Sequence, residues 1–532
     1  MWIFVAMFTV VAVPGSGQHN HDGESSNNNG NLPESFDESM ALYPSALGDH
    51  THQISSSNAE AQAYFNQGFQ LMYAFAKEDA TRSFREAWKR DPDCAICYWG
   101  EAWSWGSYLN GPMRPFEAPH AYAAMQEAVA RIDDASEKEK AYIGAIRSRY
   151  IPDFEPEKRR EQDEAYAAAM RGVADAYPND LDAATLYAEA LFLLEPRRGT
   201  RDIADPDVQR LHGVLEGVLA RNIKHPGACH LYVHATESTV DPGKASACAE
   251  YLGSQIPGAS HINHMPSHTW NEIGRWGDGV RSNLQAWHSD LKAESGEGFA
   301  IYPSHNLHML LFAASMDGQG AIAIQAGKDY AKLTGDSVFH VLTLVRFGRF
   351  DEVRAITSRP DQEASGGLWD FAQGYAHLKN GDTDFAKVYL ERVMSLAETT
   401  NARFRFDSAE LLLKTVGNIL EGEIHWDVGD RNAAIRSFER AVEFEDELEY
   451  SEPEPLPFAA RHWLGAALLG LKRYTDADRI YREELDDHPH NGWSLFGLKA
   501  ALSGQGVSLP EINADFEASW GRADVWINAS RY

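Results

Sequence analysis

From about residue 61 the chain repeats one arrangement of large and small side chains. Tyr64, Gly68, Ala80, Phe84, Ala87 and Pro92 open it, and Gly422, Ala434, Phe438 and Ala441 give a second copy. Leu464, Gly465, Tyr481 and Pro489 form a third, and Trp493, Phe496 and Gly497 begin a fourth. Small residues mark where two helices approach closely, large ones fill the gap between them, and the proline closes the second helix. One such helix pair cannot cover its own apolar face. Copies must therefore stack, and the chain is predicted to be an all-α right-handed solenoid of helix-turn-helix repeats.

In the central region Gly274 and Trp276 mark the turn between the two helices of a repeat, with Gly279 and Ala286 on the second helix, and Gly318 marks the next turn. Counted back one period, Ala245 and Pro257 take the small and closing positions. The histidines follow the same register: His230 and His264 lie 34 residues apart, as do His234 and His268. His230 and His264 share the fifth position of the first helix and His234 and His268 the ninth. His261 and His305 take the second position of theirs, and His308 takes the fifth. Glu237 stands at the twelfth. Residues three, four and seven apart lie on one helical face.

The spacing loosens over residues 108 to 160, where Pro112, Pro115, Pro152 and Pro156 interrupt helical periodicity and insertions are expected. A loop around Gly366 and Gly367 divides the reading into an array over 56 to 358 with a His-rich groove and a second array over 359 to 532. Residues 1 to 17 are apolar over a signal-peptide length, too short to span a bilayer. Residues 18 to 37, rich in Asn, Ser, Gly and Glu, read as a disordered tether, part of a linker reaching residue 55. The expected location is periplasmic or extracellular, and no later stretch is expected to span a membrane.

Nine of the 21 histidines fall between His225 and His308. Histidines at i and i+4 on a helix let two imidazoles reach one ion, and a neighbouring helix supplies further ligands. The candidate ligands are His230, His234, His264 and His268, with His261, His305 and His308 as further ligands, outer partners or general bases. Glu237 is a carboxylate ligand, an orienting partner or a catalytic base. Neutral imidazole suits copper or zinc, and one or two ions are expected. Pro266 is expected to kink its helix or to mark a first turn. The alternative is a groove of His, Asn and Tyr that binds a protein or peptide and carries no ion.

Charge and cysteines narrow the picture. The formal net charge of -30 opposes any phosphate backbone, so nucleic acid is excluded as a partner. Four cysteines, Cys94, Cys97, Cys229 and Cys248, suit disulfides in an oxidising compartment. Cys94 and Cys97 form a CxxC pair that is also open to redox or metal chemistry. Cys229 and Cys248 fall on the two helices of one repeat and are candidates to bridge them. No nucleophile elbow, Walker loop, dinucleotide fingerprint or H-E-x-x-H helix is present.

The repeat length and register resemble the tetratricopeptide repeat, in which this face of the first helix lines a concave groove. The segments DCAICYWGEA, CHLYVHATE, HINHMPSHTWNEIGRWGD and YPSHNLHMLLFAASM further resemble a group of large tetratricopeptide-domain proteins of bacteria and fungi with CxxCYWG, HxxxH and HxxHMPxH motifs. That resemblance implies the fold over residues 56 to 532 and no particular activity. The residues themselves point to an exported solenoid with a copper or zinc site, as a copper oxidoreductase or a zinc hydrolase acting on a small molecule. A scaffold for a peptide or protein is the competing expectation.

Overall fold

The computed structural model describes residues 32, 34–36, 38–196 and 199–532. The signal-like segment 1–17 and most of the tether lie outside the described residues. The described residues are mostly helices joined by loops, with one short antiparallel strand pair, Arg403–Phe404 with Asp407–Ser408. No helix among the described residues is long and apolar enough to cross a membrane.

The helices pair as the small and large positions require. Ala59–Tyr73 packs against Lys77–Arg90, and that helix against Ala95–Trp105. The Phe84 ring fills the junction: a β-carbon at Gly68 would lie 2.9 Å from it and one at Gly100 2.4 Å from it. The Tyr481 ring is wedged in the same way, 2.5 Å from a β-carbon built at Gly465 and 2.0 Å from one at Gly497. Only glycine lets the backbones close on these rings. The turns at Gly274 and Gly318 have positive φ, 73° and 71°. Each separates a first helix from a second: Pro266–Glu272 from Trp276–Ala293, and Pro303–Met316 from Gly320–Thr334. The fold is an all-α tetratricopeptide-type solenoid.

Two expectations about domain limits change. One buried core runs from Phe36 to Tyr302 and a second from Trp276 to Leu502, so the change of core falls near residues 276–302 and not at 358. Gly366 and Gly367 lie inside the helix Glu363–Lys379, where Gly367 packs on Leu413. The stretch 38–55 is also no linker. Met40, Ala46, His52 and Ile54 are buried in it, and Gln70 anchors it by accepting from Gly48 N at 2.8 Å and donating to His50 O at 2.8 Å.

The second array curls back on the middle of the chain. Trp276 Nε1 donates to Pro489 O at 2.9 Å, Trp493 Nε1 donates to Ser315 O at 2.8 Å, and Arg522 pairs with Asp317 at 2.7 Å. This closure carries the strand pair near 405 and the loop 446–459 over the histidine helices.

Candidate metal centre

Four short helical segments carry the histidines. His230 and His234 lie on Pro226–Thr236, His261 and His264 on Ser260–His264, His268 on Pro266–Glu272, and His305 and His308 on Pro303–Met316. Pro266 heads its segment, and the helical path continues through Met265. Two hydrogen bonds fix the spacing of the later helices: Phe299 N donates to Gly258 O at 2.8 Å, and Ile301 N donates to the Ser260 side-chain Oγ at 2.8 Å.

Six of the seven histidines come together as two groups of three, and His234 and His268 also meet with Glu237 and Glu452 in a further possible ligand set that joins the two. His230, His234 and His261 each place one ring nitrogen within 4.8 Å of the others, and so do His264, His268 and His305. Each group takes the fifth and ninth positions of one repeat and the second position of the next. The second group is thus a copy of the first, displaced by one repeat. His308 stays apart: its ring stacks on Phe339 with centroids 3.9 Å apart, its Nδ1 faces Arg405, and its Nε2 is buried without a partner.

Hydrogen-bond partners decide which nitrogens are available as ligands. In the first group His230 Nδ1–H donates to Tyr73 O at 2.6 Å and His234 Nδ1–H donates to Glu237 Oε1 at 2.8 Å. Both imidazoles therefore keep the lone pair on Nε2. His230 Nε2 lies 3.2 Å from His261 Nε2. That is close to the roughly 3.3 Å between two ligands of a tetrahedral ion with bonds near 2.0 Å. His234 Nε2 and His261 Nδ1 are buried with no partner. Such orphaned acceptors are uncommon in protein interiors.

The second group is differently poised. His264 Nδ1–H donates to Asn283 Oδ1 at 3.0 Å, and His264 Nε2 faces His268 Nε2 at 2.9 Å. His268 Nδ1 lies 2.5 Å from Glu237 Oε2 and 3.1 Å from Glu452 Oε2. A protonated His268 can donate from Nε2 to His264, so this pair is satisfied without an ion. His305 Nδ1 accepts from Arg405 at 3.2 Å.

The charges follow this division. Burial first, and the neighbouring imidazoles second, push His230, His261 and His264 well below the ordinary histidine value, so all three are neutral. Burial also opposes charge on His268, yet Glu237 and Glu452 outweigh it and raise the group to about 10. Burial works to raise Glu237, but His234 and His268 hold its carboxyl far below the usual range. With one oxygen on each of two imidazoles, Glu237 is placed to orient the cluster and has little capacity as a base.

Aromatic side chains close the first group. The Phe75 ring lies 4.2 Å from that of His230 and 5.6 Å from that of His261, and the Tyr302 ring lies 5.0 Å from His261. Phe75 and Tyr302 both have left-handed backbone, φ 60° and 58°. Such strain gathers at sites that hold side chains in set positions.

The cysteines lie outside this centre. Cys94 is joined to Cys97, and Cys229, one residue before His230, to Cys248. Asn263, Asn271 and Asn306, close in sequence to these histidines, bond elsewhere: Asn263 to Gly253 O, Asn306 to Asp290 and Asn271 to the Met309 sulfur. The sequence reading missed Asn283, Glu452 and Arg405. It also missed a second assembly, in which Asp182 accepts from Tyr73 Oη at 2.7 Å and lies against His52 at 2.7 Å, His50 at 3.1 Å and His225 at 3.2 Å. His225 Nδ1 accepts from Ala228 N at 3.2 Å, so its Nε2 carries the proton and gives it to Asp182. That cluster is therefore a hydrogen-bonded clamp on segment 38–55 and a poor metal site.

No protein-family model matches the chain, and no curated protein matches it. Among solved structures it is similar to a chain of the APC/C hetero-tetramer Cut9-Hcn1, at 14% identity over 88% of this chain and 75% of that one, with a TM-score of 0.28. It is also similar to the P58(IPK) TPR domain, at 12% identity over 84% of this chain and 99% of that one, with a TM-score of 0.20. Yeast Tom70 gives 14% identity over 88% and 93%, with a TM-score of 0.27. Superpositions this loose say nothing of activity or partners, and the solenoid assignment stands on the helix pairing and glycine contacts of this chain itself.

Proposed function

We propose that the protein binds a transition-metal ion, copper or zinc, between His230, His234 and His261, and a second ion more weakly between His264, His268 and His305. The observation that carries this reading is the first group's pair of orphaned nitrogens, His234 Nε2 and His261 Nδ1, buried beside the outward lone pair of His230. An ion there would use the Nε2 atoms of His230 and His234 and a ring nitrogen of His261. Tyr73 and Glu237 would act as the outer acceptors that set imidazole orientation. Three protein ligands leave a fourth position open, the form of a site that activates a bound molecule. Loading the second group requires His268 to give up its proton and Arg405 to release His305. Its affinity should therefore be lower and should rise with pH. The two cysteine pairs suit an exported protein in an oxidising compartment.

The test is elemental analysis of protein purified without chelators, beside the double variant H230A/H268A. About one ion per chain is expected in the wild type and none held in the variant. Equal metal in both would overturn the assignment. An electron paramagnetic resonance spectrum distinguishes copper(II), which gives a signal, from zinc, which gives none.

A scaffold reading has one observation of its own. The last residues of the chain lie inside the second array, where Tyr375 Oη donates to Tyr532 O at 2.6 Å, Arg346 donates to Ser530 O at 3.1 Å, and Arg531 pairs with Glu423. The inner surface of that array accommodates extended chain, as a peptide-binding groove would.

A further inference from the structure

His268 and Glu452 also form one wall of a cavity of about 400 Å³ between the helix Pro266–Glu272 and the loop 446–459. Its size is that of a small-molecule site. Trp276, Phe312 and Tyr450 give it an aromatic lining. The remaining wall is strongly acidic, and part of that charge is already balanced. His488 lies 2.8 Å from Glu484 and 3.2 Å from Glu454, and Arg461 lies 2.6 Å from Asp446 and 3.6 Å from Asp487. Glu272 and Glu449 line the same cavity with no cationic partner among the described residues. Beside Glu272, Asn271 is 7% exposed and its amide oxygen has no partner. Burial, then repulsion from Glu237 and Glu454, raises Glu272 to about 8, so it keeps its proton at neutral pH until a cation pairs with it.

We propose that this cavity binds an organic cation, an amine carried on an apolar or aromatic body, with the ammonium group against Glu272 and the body against Trp276 and Phe312. Charge selects the class: an ammonium group draws Glu272 into its ionised form and is attracted by Glu449, whereas the acidic wall repels an anion and a neutral ligand gains neither interaction. Shape selects within it. A bare metal ion would leave the aromatic wall uncovered, whereas an aromatic amine fills it and adds cation–π attraction. Because His268 closes one end, the bound amine lies beside the histidine cluster. Its role as the substrate presented to the ion rests on the metal-binding reading above, while the binding itself does not.

The experiment is isothermal titration calorimetry on the protein as purified, with phenethylamine, phenylethanol and phenylpropionate as probes, and with metal content measured on the same samples. The amine is expected to bind about tenfold or more tightly than the alcohol, with no binding of the carboxylate. E272Q should weaken amine binding by about tenfold or more while metal content stays unchanged. E449Q, at an exposed position, should weaken it without affecting folding. The proposal is overturned if amine and alcohol bind alike, or if both variants bind the amine as the wild type does. Should E272Q fail to fold, E449Q and the charge series decide. A protein that selects the amine but holds no metal would sink the metal reading and keep this one, and the reverse result would do the opposite.

Discussion

Replacing Glu237 by glutamine changes one atom and should disable an ion site through tautomers alone. The carboxylate accepts from His234 Nδ1 at 2.8 Å with one oxygen and faces His268 Nδ1 at 2.5 Å with the other. A glutamine amide has one accepting oxygen, and its nitrogen only donates. The imidazole that meets the nitrogen must make its Nδ1 an acceptor, which moves its proton to Nε2. That Nε2 can then no longer hold an ion. Where His234 is the one affected, the first group is reduced to two ligands. Where His268 is affected, it loses the larger of the two charges that keep it protonated, Glu452 being the other. Losses of outer acceptors weaken metal binding by about 10- to 100-fold, or roughly 1.4 to 2.7 kcal/mol. Competition against a chelating dye of known affinity, with metal content measured in parallel, reads this directly. Affinities of E237Q within about twofold of the wild type at both groups would refute the reasoning, and Glu237 would then be a packing residue.

Three further outcomes follow from the same geometry. H261A should abolish retention of the tighter ion while H305A keeps it, as measured by elemental analysis after desalting; equal loss in both would show that the groups are not separate. His230, His261 and His264 are depressed in the folded protein, so the unfolded chain binds their protons first as pH falls. The stability they contribute is present above about 6.5 and is lost below it, by up to roughly 4 kcal/mol per pH unit for three protons. Urea titrations of metal-free protein between pH 5 and 7 check this, and a flat profile contradicts it. D182N removes the buried charge that His50, His52, His225 and Tyr73 surround and should cost about 3 kcal/mol. An unchanged melting temperature would count against the clamp.

The repeat fold was legible because its signal is local: Gly68 with Phe84 and Gly465 with Tyr481 mark helix contacts that the structure contains. The histidine register was also visible, down to the shared positions of His230 with His264 and His234 with His268. The grouping was not. Of the equivalent positions, the ninth ones meet, His234 and His268 having ring centroids 5.3 Å apart, but the superhelical offset also sets the second position of one repeat beside the fifth and ninth of the repeat before it. His261 and His305 thereby become full members, and the expected foursome becomes two threes. Glu452 and Arg405 had no signal near the histidines, because the closure of the second array brings them there from more than 90 residues away. Segment 38–55 was misread because its buried residues, Met40, Ala46, His52 and Ile54, follow no helical period and are held by side-chain bonds from the first repeat.

The central claim is that buried imidazoles one repeat apart share an ion, and anomalous diffraction from crystals of the chelator-free protein, recorded at the absorption edge of the metal found, tests it most directly. A peak enclosed by His230, His234 and His261 is predicted, with a second, weaker peak among His264, His268 and His305 that strengthens at higher pH. Clear density for all six rings with no peak between them, or a peak only at the Asp182 cluster, would contradict it.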